Sequence, residues 1–236
     1  MEHRILLGIL WVSLAWAQSG MAGSVPDHRV SNSVVQIRGV TSDKRSYFGS
    51  GVAVAKGVVA TNCHVVRPGG AIGIFRGYRS YKVNAIRADE NSDLCLLEVP
   101  ELDFMPARLA HLKSLNRGDP LYYYGFPRAL SMSYTDGKVI ATGHKQGIPV
   151  IETSAFFTLG GSGGGLFDGK GRLVGFATYI TRGHGGGYYA IGADLIEAVL
   201  KRPKFPVAPL EGKAFWEKLS EGRNPPAKTA STHPAQ

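Results

Sequence analysis

Short runs rich in valine and isoleucine, separated by glycine, dominate the sequence from residue 30 to about residue 192. Examples are SVVQIRGV, YFGSGVAVA, GVVATN and DLCLLEVP, followed later by PLYYYGF, IPVIETSAF and GYYAIGA. The runs recur at intervals of about 8–12 residues, which is typical of β-barrels and β-sandwiches. In SYTDGKVIA and LFDGKGRLVGFA an Asp-Gly pair separates two apolar runs, which is a strong hairpin signal. The pattern predicts an all-β fold.

The runs fall into two sets that share no repeated motif. The less regular stretch ELDFMPARLAHLKSLNRGD lies between the sets. We therefore predict two packed antiparallel β-barrels, over residues 30–105 and 119–200, that together form one domain. After residue 193 the segments ADLIEAVLKR and LEGKAFWEKLSE carry apolar residues at helical spacing. We expect a C-terminal helical segment with a helix over residues 208–221, and a disordered polar tail over residues 222–236.

The N-terminus has the composition of an export signal. A charged MEHR precedes the apolar run ILLGILWVSLAWA, and AWA has the small-x-small form of a cleavage site. The run is shorter than the ~20 residues that span a bilayer. We predict that residues 1–17 are a signal peptide, that the protein is periplasmic or secreted, and that no stable membrane span remains after cleavage. An uncleaved membrane anchor is the alternative.

The net charge of +9 does not by itself indicate a binding partner. Lys and Arg number 27 against 18 Asp and Glu, but the basic residues are scattered singly. The tyrosines of YYY also have no basic groove beside them in the sequence. We therefore expect no specific nucleic-acid binding, and nothing in the sequence indicates an oligomeric state.

The segment TLGGSGGGLFDGKGRLVGFAT places Ser162 between glycines, directly before a hairpin. A nucleophilic serine needs an exposed hydroxyl, a base, and N–H donors for an oxyanion. Glycines allow a turn that directs consecutive N–H groups to one point. A plain turn is the alternative, whereas a P-loop is disfavoured because no Lys-Ser/Thr follows at the required spacing.

His64 and Asp93 complete a pattern that gives this serine a base. In VVATNCHVV, His64 follows a short apolar run, and Asp93 opens the run in NSDLCLLEV. Taken singly, each has a structural explanation as a strand-end residue. The chain order His, Asp, Ser, with the first two in one barrel and the serine in the other, is that of a catalytic triad.

Five blocks of the sequence resemble trypsin-like serine proteases of the chymotrypsin fold, most of all the protease domain of the bacterial HtrA (Deg) family. They are GSGVAVAKGVVATNCHVV, NSDLCLLEV, GDPLYYYGFP, YTDGKVIATG and GGSGGGLFDGKGRLVGFAT. The resemblance extends from about Ser33 to Leu200, and no PDZ-like domain follows within this sequence. It implies a double β-barrel with endopeptidase activity on polypeptide substrates, without cofactor or metal.

The resemblance also implies residue roles. His64 would be the general base and acid, Asp93 its orienting residue and Ser162 the nucleophile. The N–H groups of Gly160 and Ser162 would form the oxyanion hole, with help from Gly161. The family usually has Asn or Asp where Gly161 stands, which leaves open whether the oxyanion turn is preformed or induced.

The resemblance also implies a substrate pocket, one with no charged residue at its bottom. Phe156, Phe157, Ala177 and Thr178 would line it, and no Asp stands where a preference for Lys or Arg would need one. We therefore predict cleavage after small or medium apolar residues. Packing of one or both phenylalanines in the barrel is the alternative.

The two cysteines occupy matched places beside these residues, Cys63 before His64 and Cys95 two positions after Asp93. If the histidine and aspartate touch, their chain neighbours also run close together, and a disulfide becomes geometrically reasonable. The alternatives are two buried thiols, or a metal site with His64, for which further ligands are lacking.

Two function hypotheses remain at this point. The first is an exported serine endopeptidase that acts through an acyl-enzyme. The second is a catalytically weak, protease-like binding protein whose active-site loop needs a partner to become ordered.

Overall fold

The computed structural model describes residues 28–181 and 186–221. The predicted signal peptide (1–17) and tail (222–236) lie outside these ranges. The strands are β1 (Val34–Val40), β2 (Ser46–Ala55), β3 (Val58–Asn62), β4 (Ala71–Arg76), β5 (Arg79–Lys82), β6 (Ala85–Asp89), β7 (Leu94–Glu98), β8 (Pro120–Gly125), β9 (Ser133–Lys145), β10 (Ile148–Thr153), β11 (Gly165–Asp168), β12 (Leu173–Ile180), β13 (Tyr188–Gly192) and β14 (Phe205–Pro206). The α-helices are α1 (Cys63–Val66), α2 (Ile196–Leu200) and α3 (Phe215–Glu221). Short 3-10 segments cover His28–Ser33, Leu112–Ser114, Pro127–Ala129 and Ala193–Leu195.

The strands form two antiparallel sheets, as the sequence predicts. β8 to β13 close into a six-stranded barrel in the order β10-β13-β12-β11-β8-β9. The other strands form an eight-stranded sheet in the order β14-β6-β7-β3-β2-β1-β4-β5, which curls into a half-barrel. The predicted all-β class is therefore confirmed, with the refinement that the first sheet is a half-barrel that ends at two short edge strands.

The two-residue period of the strands separates three apolar clusters. Successive side chains of a strand point to opposite faces. In β7, Leu96 therefore joins the cluster shared by the two sheets, while Leu97 faces the interior of the first sheet. In β8, Tyr124 joins the shared cluster and Tyr123 faces the interior of the closed barrel. The shared cluster thus contains side chains of β3, β7 and β11, the strands next to His64, Asp93 and Ser162 in the sequence.

After α2 the chain returns to the first sheet. We call this segment, residues 201–221 with β14 and α3, the C-terminal strap. Its strand β14 pairs with β6. The helix predicted over residues 208–221 occupies only Phe215–Glu221. Upstream of it, the N–H of Leu210 bonds to the carbonyl of Arg67 at 2.9 Å, and Pro209 disfavours a helical conformation in the preceding residue. No helix within residues 28–181 and 186–221 is long and apolar enough to cross a membrane.

The predicted disulfide between Cys63 and Cys95 is present, and both residues are fully buried. Their Cα atoms are 4.9 Å apart. The pairing follows from the β3–β7 register, which places Thr61 opposite Cys95. Because neither sulfur is free, the free-thiol and metal-ligand alternatives no longer apply.

We expect the double substitution Cys63→Ala/Cys95→Ala to lower the free energy of unfolding by roughly 3–4 kcal/mol, because the crosslink closes a loop in the unfolded chain. The two cysteines are 32 positions apart. Urea unfolding followed by circular dichroism measures the change. A loss below about 1 kcal/mol would show that the crosslink does not restrict the unfolded chain as this estimate assumes.

Candidate active site

His64 lies on the single helical turn α1, directly after the fully buried strand β3. The burial of β3 holds the start of α1 in place. The His64 side chain itself is 22% exposed. Its ring can therefore be reached from solvent while its backbone is anchored.

Asp93 lies in the turn before β7 and has a φ of 63°. This left-handed conformation is uncommon for a residue other than glycine. Two donors at the start of α1 hold it: the N–H of Cys63 and the Nδ2 of Asn62 both bond to the Asp93 carbonyl, at 3.2 and 3.1 Å. The turn therefore places the completely buried carboxyl group of Asp93 beside His64.

Three hydrogen bonds from described residues reach the Asp93 carboxylate. Oδ1 accepts the backbone N–H of His64 at 2.8 Å, and Oδ2 lies 2.6 Å from His64 Nδ1. Oδ2 also accepts the indole Nε1–H of Trp216 at 3.1 Å. Because an ionised carboxylate only accepts hydrogen bonds, Nδ1 carries the proton and Nε2 is left as an acceptor. This is the tautomer that a histidine base requires.

The loop before Ser162 contains a tight turn with a defined peptide orientation. The N–H of Gly161 bonds to the carbonyl of Thr158 at 2.7 Å, and Gly160 has a φ of 84°. Since Leu159 has no positive φ, this is a type II turn. The Leu159 carbonyl accepts the N–H of Arg128 at 2.9 Å. The C=O and N–H of a trans peptide point in opposite directions, so the Gly160 N–H points away from Arg128.

The N–H of Ser162 is oriented in a similar way. The Gly161 carbonyl accepts the hydroxyl of Tyr123 at 3.1 Å and the N–H of Gly164 at 2.9 Å. The Ser162 N–H therefore points to the other side of that peptide. Within the described ranges neither it nor the Gly160 N–H has an acceptor. The N–H of Gly161, in contrast, is used inside the turn, so its expected contribution to an oxyanion hole is corrected: it is not available as a donor.

Ser50 of β2 connects the serine loop to the histidine strand. Its N–H bonds to the Ser162 carbonyl at 2.9 Å, and its hydroxyl bonds to the Gly160 carbonyl at 2.9 Å. Its own carbonyl accepts the hydroxyl of Thr61, three residues before the histidine, at 2.7 Å. Ser50 is fully buried. The half-buried Ser162 makes no side-chain hydrogen bond to a residue of the described part of the chain.

The unusual Gly161 has a steric explanation. A Cβ added there would lie 2.6 Å from the Tyr123 hydroxyl and 2.7 Å from the Thr158 carbonyl oxygen. Tyr123 is 1% exposed, and burial raises the pKa of its hydroxyl. The hydroxyl therefore remains a protonated donor beneath the loop. A residue larger than glycine at position 161 would need the space that this hydroxyl fills.

The four residues predicted to line a pocket lie in different environments. Phe157 is 3% exposed and packs in the core of the closed barrel, whereas Phe156 is 52% exposed and contacts the ring of Tyr188. Ala177 is fully buried. The hydroxyl of Thr178 donates to the carbonyl of Phe176 and accepts a hydrogen bond from Asn62.

Three contributors to this region were missed in the sequence: Ser50, Tyr123 and Trp216. One feature of the sequence could have drawn attention to Trp216. Trp11 and Trp16 lie in the predicted signal peptide, so Trp216 is the only tryptophan outside it. Ser50 and Tyr123 lie in ordinary strand patterns. Their roles depend on contacts with distant residues.

Residues 49–176, more than half of the chain, match the family model described as "Trypsin-like peptidase domain". The chain belongs to this family. It is 32% identical over 167 residues to the "Probable periplasmic serine protease do/HhoA-like" of Haemophilus influenzae, covering 64% of this chain and 35% of the relative. It is 32% identical over 163 residues to the "Periplasmic serine endoprotease DegP" of Salmonella typhimurium, covering 64% and 34%.

A solved structure described as "HtrA-type protease AlgWS227A with tripeptide" superimposes with a TM-score of 0.66 at 26% identity. The superposition covers 72% of this chain and 60% of that one. The resemblance seen in the sequence is therefore confirmed. The chain spans about a third of the length of the curated relatives it matches.

We expect Gly161→Ala to lower the free energy of unfolding by about 1–3 kcal/mol, because the new methyl group overpacks the space between Tyr123 and Thr158. Gly143→Ala is the matched control, since nothing lies within 4 Å of a Cβ at that position. Urea unfolding compares the two variants. Equal stability of the two would show that the loop relaxes around the added carbon.

Proposed function

We propose that this protein is a serine endopeptidase that hydrolyses peptide bonds of exported or unfolded proteins through an acyl-enzyme. The observation that carries the proposal is the hydrogen bond of the buried Asp93 carboxylate with His64 Nδ1, at 2.6 Å. This hydrogen bond leaves Nε2 as an acceptor. The adjacent loop presents a serine hydroxyl and two backbone N–H groups that have no acceptor among the described residues.

In the acylation step, Ser162 Oγ attacks the scissile carbonyl carbon and His64 Nε2 takes the hydroxyl proton. Asp93 stabilises the imidazolium that forms. The N–H groups of Gly160 and Ser162 bind the oxyanion of the tetrahedral intermediate. Collapse of the intermediate breaks the C–N bond, and the imidazolium gives its proton to the leaving amine.

In the deacylation step, water takes the place of the amine. Nε2 removes a proton from the water, which attacks the ester carbon. The C–Oγ bond then breaks, and the proton returns to Ser162. The Arg128 N–H fixes the peptide that carries the Gly160 N–H, and Tyr123 and Gly164 fix the peptide that carries the Ser162 N–H. Both proposed oxyanion donors are therefore oriented before the substrate binds, which favours a preformed over an induced site.

Two lines of support concern the compartment and the substrates. The N-terminal segment has the features of a cleavable signal. The curated relatives from Haemophilus influenzae and Salmonella typhimurium are named periplasmic serine proteases. We therefore propose a periplasmic or secreted enzyme whose substrates are polypeptides of that compartment.

For the residue before the scissile bond, we propose a preference for small or medium apolar side chains. No carboxylate occurs between residues 154 and 161. The exposed Phe156 contacts the ring of Tyr188, with centroids 5.5 Å apart, and the buried Phe157 supports that ring from the barrel core, at 5.2 Å. An apolar surface of this kind does not compensate the charge of a Lys or Arg side chain.

We expect a fluorophosphonate probe to label the wild-type protein at Ser162 and to leave Ser162→Ala unlabelled. His64→Ala should lower the labelling rate by at least about 10³-fold, because the serine loses its base. The matched control is Ser80→Ala, which removes an exposed hydroxyl in β5 and should label at the wild-type rate. Labelling is measured by in-gel fluorescence and peptide mapping.

A folded wild-type protein without Ser162-dependent labelling would contradict the proposal. That outcome would favour the alternative, a protease-like binding protein.

We expect cleavage of a peptide library to occur mainly after Ala, Val, Leu or similar residues. Mass spectrometry of the fragments, with Ser162→Ala as the blank, identifies the cleaved bonds. Predominant cleavage after Lys or Arg would refute the proposed apolar pocket while leaving the proposed chemistry intact.

A further inference from the structure

Trp216 contacts both Asp93 and His64, although it lies outside the residues that match the family model. It is the second residue of α3 in the C-terminal strap, beyond the matched range of 49–176. Its indole Nε1–H donates to Asp93 Oδ2 at 3.1 Å. The indole ring also meets the His64 imidazole edge to face, with ring centroids 5.5 Å apart.

The indole is the one donor to the Asp93 carboxylate, within the described ranges, that does not come from His64. The hydroxyl of Thr178 lies nearby, because it shares the donor Asn62 with the Asp93 carbonyl. That hydroxyl, however, donates to the Phe176 carbonyl at 2.7 Å. The second lone-pair position of Oδ2 therefore depends on Trp216.

Packing fixes the orientation of the indole. Its ring stacks on Tyr179, with centroids 5.6 Å apart and an interplanar angle of 11°. Tyr179 in turn stacks on Tyr189 at 4.8 Å, and Lys145 Nζ lies 4.3 Å from the centre of the Tyr189 ring. The stack holds the indole in one orientation, in which its N–H points at the carboxylate.

The strap is anchored to the two segments that carry His64 and Asp93. Glu217 forms two hydrogen bonds, both of 2.7 Å, with Arg67, which directly follows α1. The arginine holds the pKa of the Glu217 carboxyl below its usual value, so the pair stays charged at neutral pH. The N–H of the fully buried Phe215 bonds to the carbonyl of Asn91, two residues before Asp93.

We propose that Trp216 is a positioning residue of the active site, and that the C-terminal strap completes the site by fixing the Asp93 carboxylate and, through it, the His64 imidazole. The inference rests on the proposed serine-protease function. Its physical basis is that a charge-assisted hydrogen bond in a dry environment restrains the acceptor more strongly than a neutral one.

The kinetic test is Trp216→Phe, which keeps an aromatic ring between Tyr179 and His64 but removes the N–H. We expect kcat for peptide cleavage to fall about tenfold to a hundredfold, the order of losing one hydrogen bond to a charged group. KM and the melting temperature should stay near their wild-type values. Lys218→Ala is the matched control, because it removes a contact of the same helix with Asn91 at 3.0 Å and leaves the indole in place.

A second readout is independent of catalysis. Trp11→Phe/Trp16→Phe in the full chain leaves Trp216 as the only indole, so the ¹H–¹⁵N spectrum contains one indole N–H signal. We expect this signal to be protected from solvent exchange, and to shift and lose protection in Asp93→Ala, where the acceptor is absent. Lys218→Ala should leave the signal unchanged.

The outcomes separate this inference from the proposed function. If the wild-type protein shows no Ser162-dependent labelling, the proposed function fails, and the indole signal still decides whether the contact with Asp93 exists. If the wild type is active and Trp216→Phe has the wild-type kcat, the positioning role is overturned. It is overturned as well if Trp216→Phe and Lys218→Ala lose activity and melting temperature together, because Trp216 would then act only by stabilising the fold.

Discussion

The buried carboxylate of Asp93 is the constraint around which the active-site region is built. A carboxylate in a dry interior is strongly destabilising unless hydrogen-bond donors surround it. Two of its donors come from His64 and one from Trp216. The disulfide and the ion pair between Arg67 and Glu217 hold the segments that carry these donors. The geometry of the site thus depends on donors from the His64 segment and, as we propose, from the strap.

The serine side of the site depends on a different set of contacts. Ser50 reaches across from the first sheet and holds the backbone of the serine loop at two points. The Arg128 N–H holds the Leu159 carbonyl, and Arg128 and Ala129 both have left-handed φ values, of 55° and 56°. Such conformations cost of the order of 1–3 kcal/mol each in non-glycine residues. The surrounding packing therefore sustains a strained turn beside the peptide whose N–H is a proposed oxyanion donor.

Local patterns predicted much of this architecture. The alternation in segments such as DLCLLEV indicated strands, and the Asp-Gly pairs indicated hairpins. The proximity of Cys63 and Cys95 followed from the expected contact of their neighbours. The same reasoning overestimated the last helix: Pro209 disfavours a helical conformation in the residue before it, and the N–H of Leu210 bonds to the carbonyl of Arg67 instead of to a helical partner. It also assigned an oxyanion role to Gly161, whose N–H is used within its own turn.

The sequence by itself determined the strand pattern, the family, and the order of His64, Asp93 and Ser162, because each is carried by short segments of adjacent residues. Only the tertiary structure decided what surrounds those residues. The indole of Trp216 reaches Asp93 across 123 positions, and Ser50 reaches Gly160 across 110. Contacts of this range depend on how the two sheets and the strap pack together. The residues next to Trp216 and Ser50 in the sequence therefore do not identify Asp93 and Gly160 as their partners.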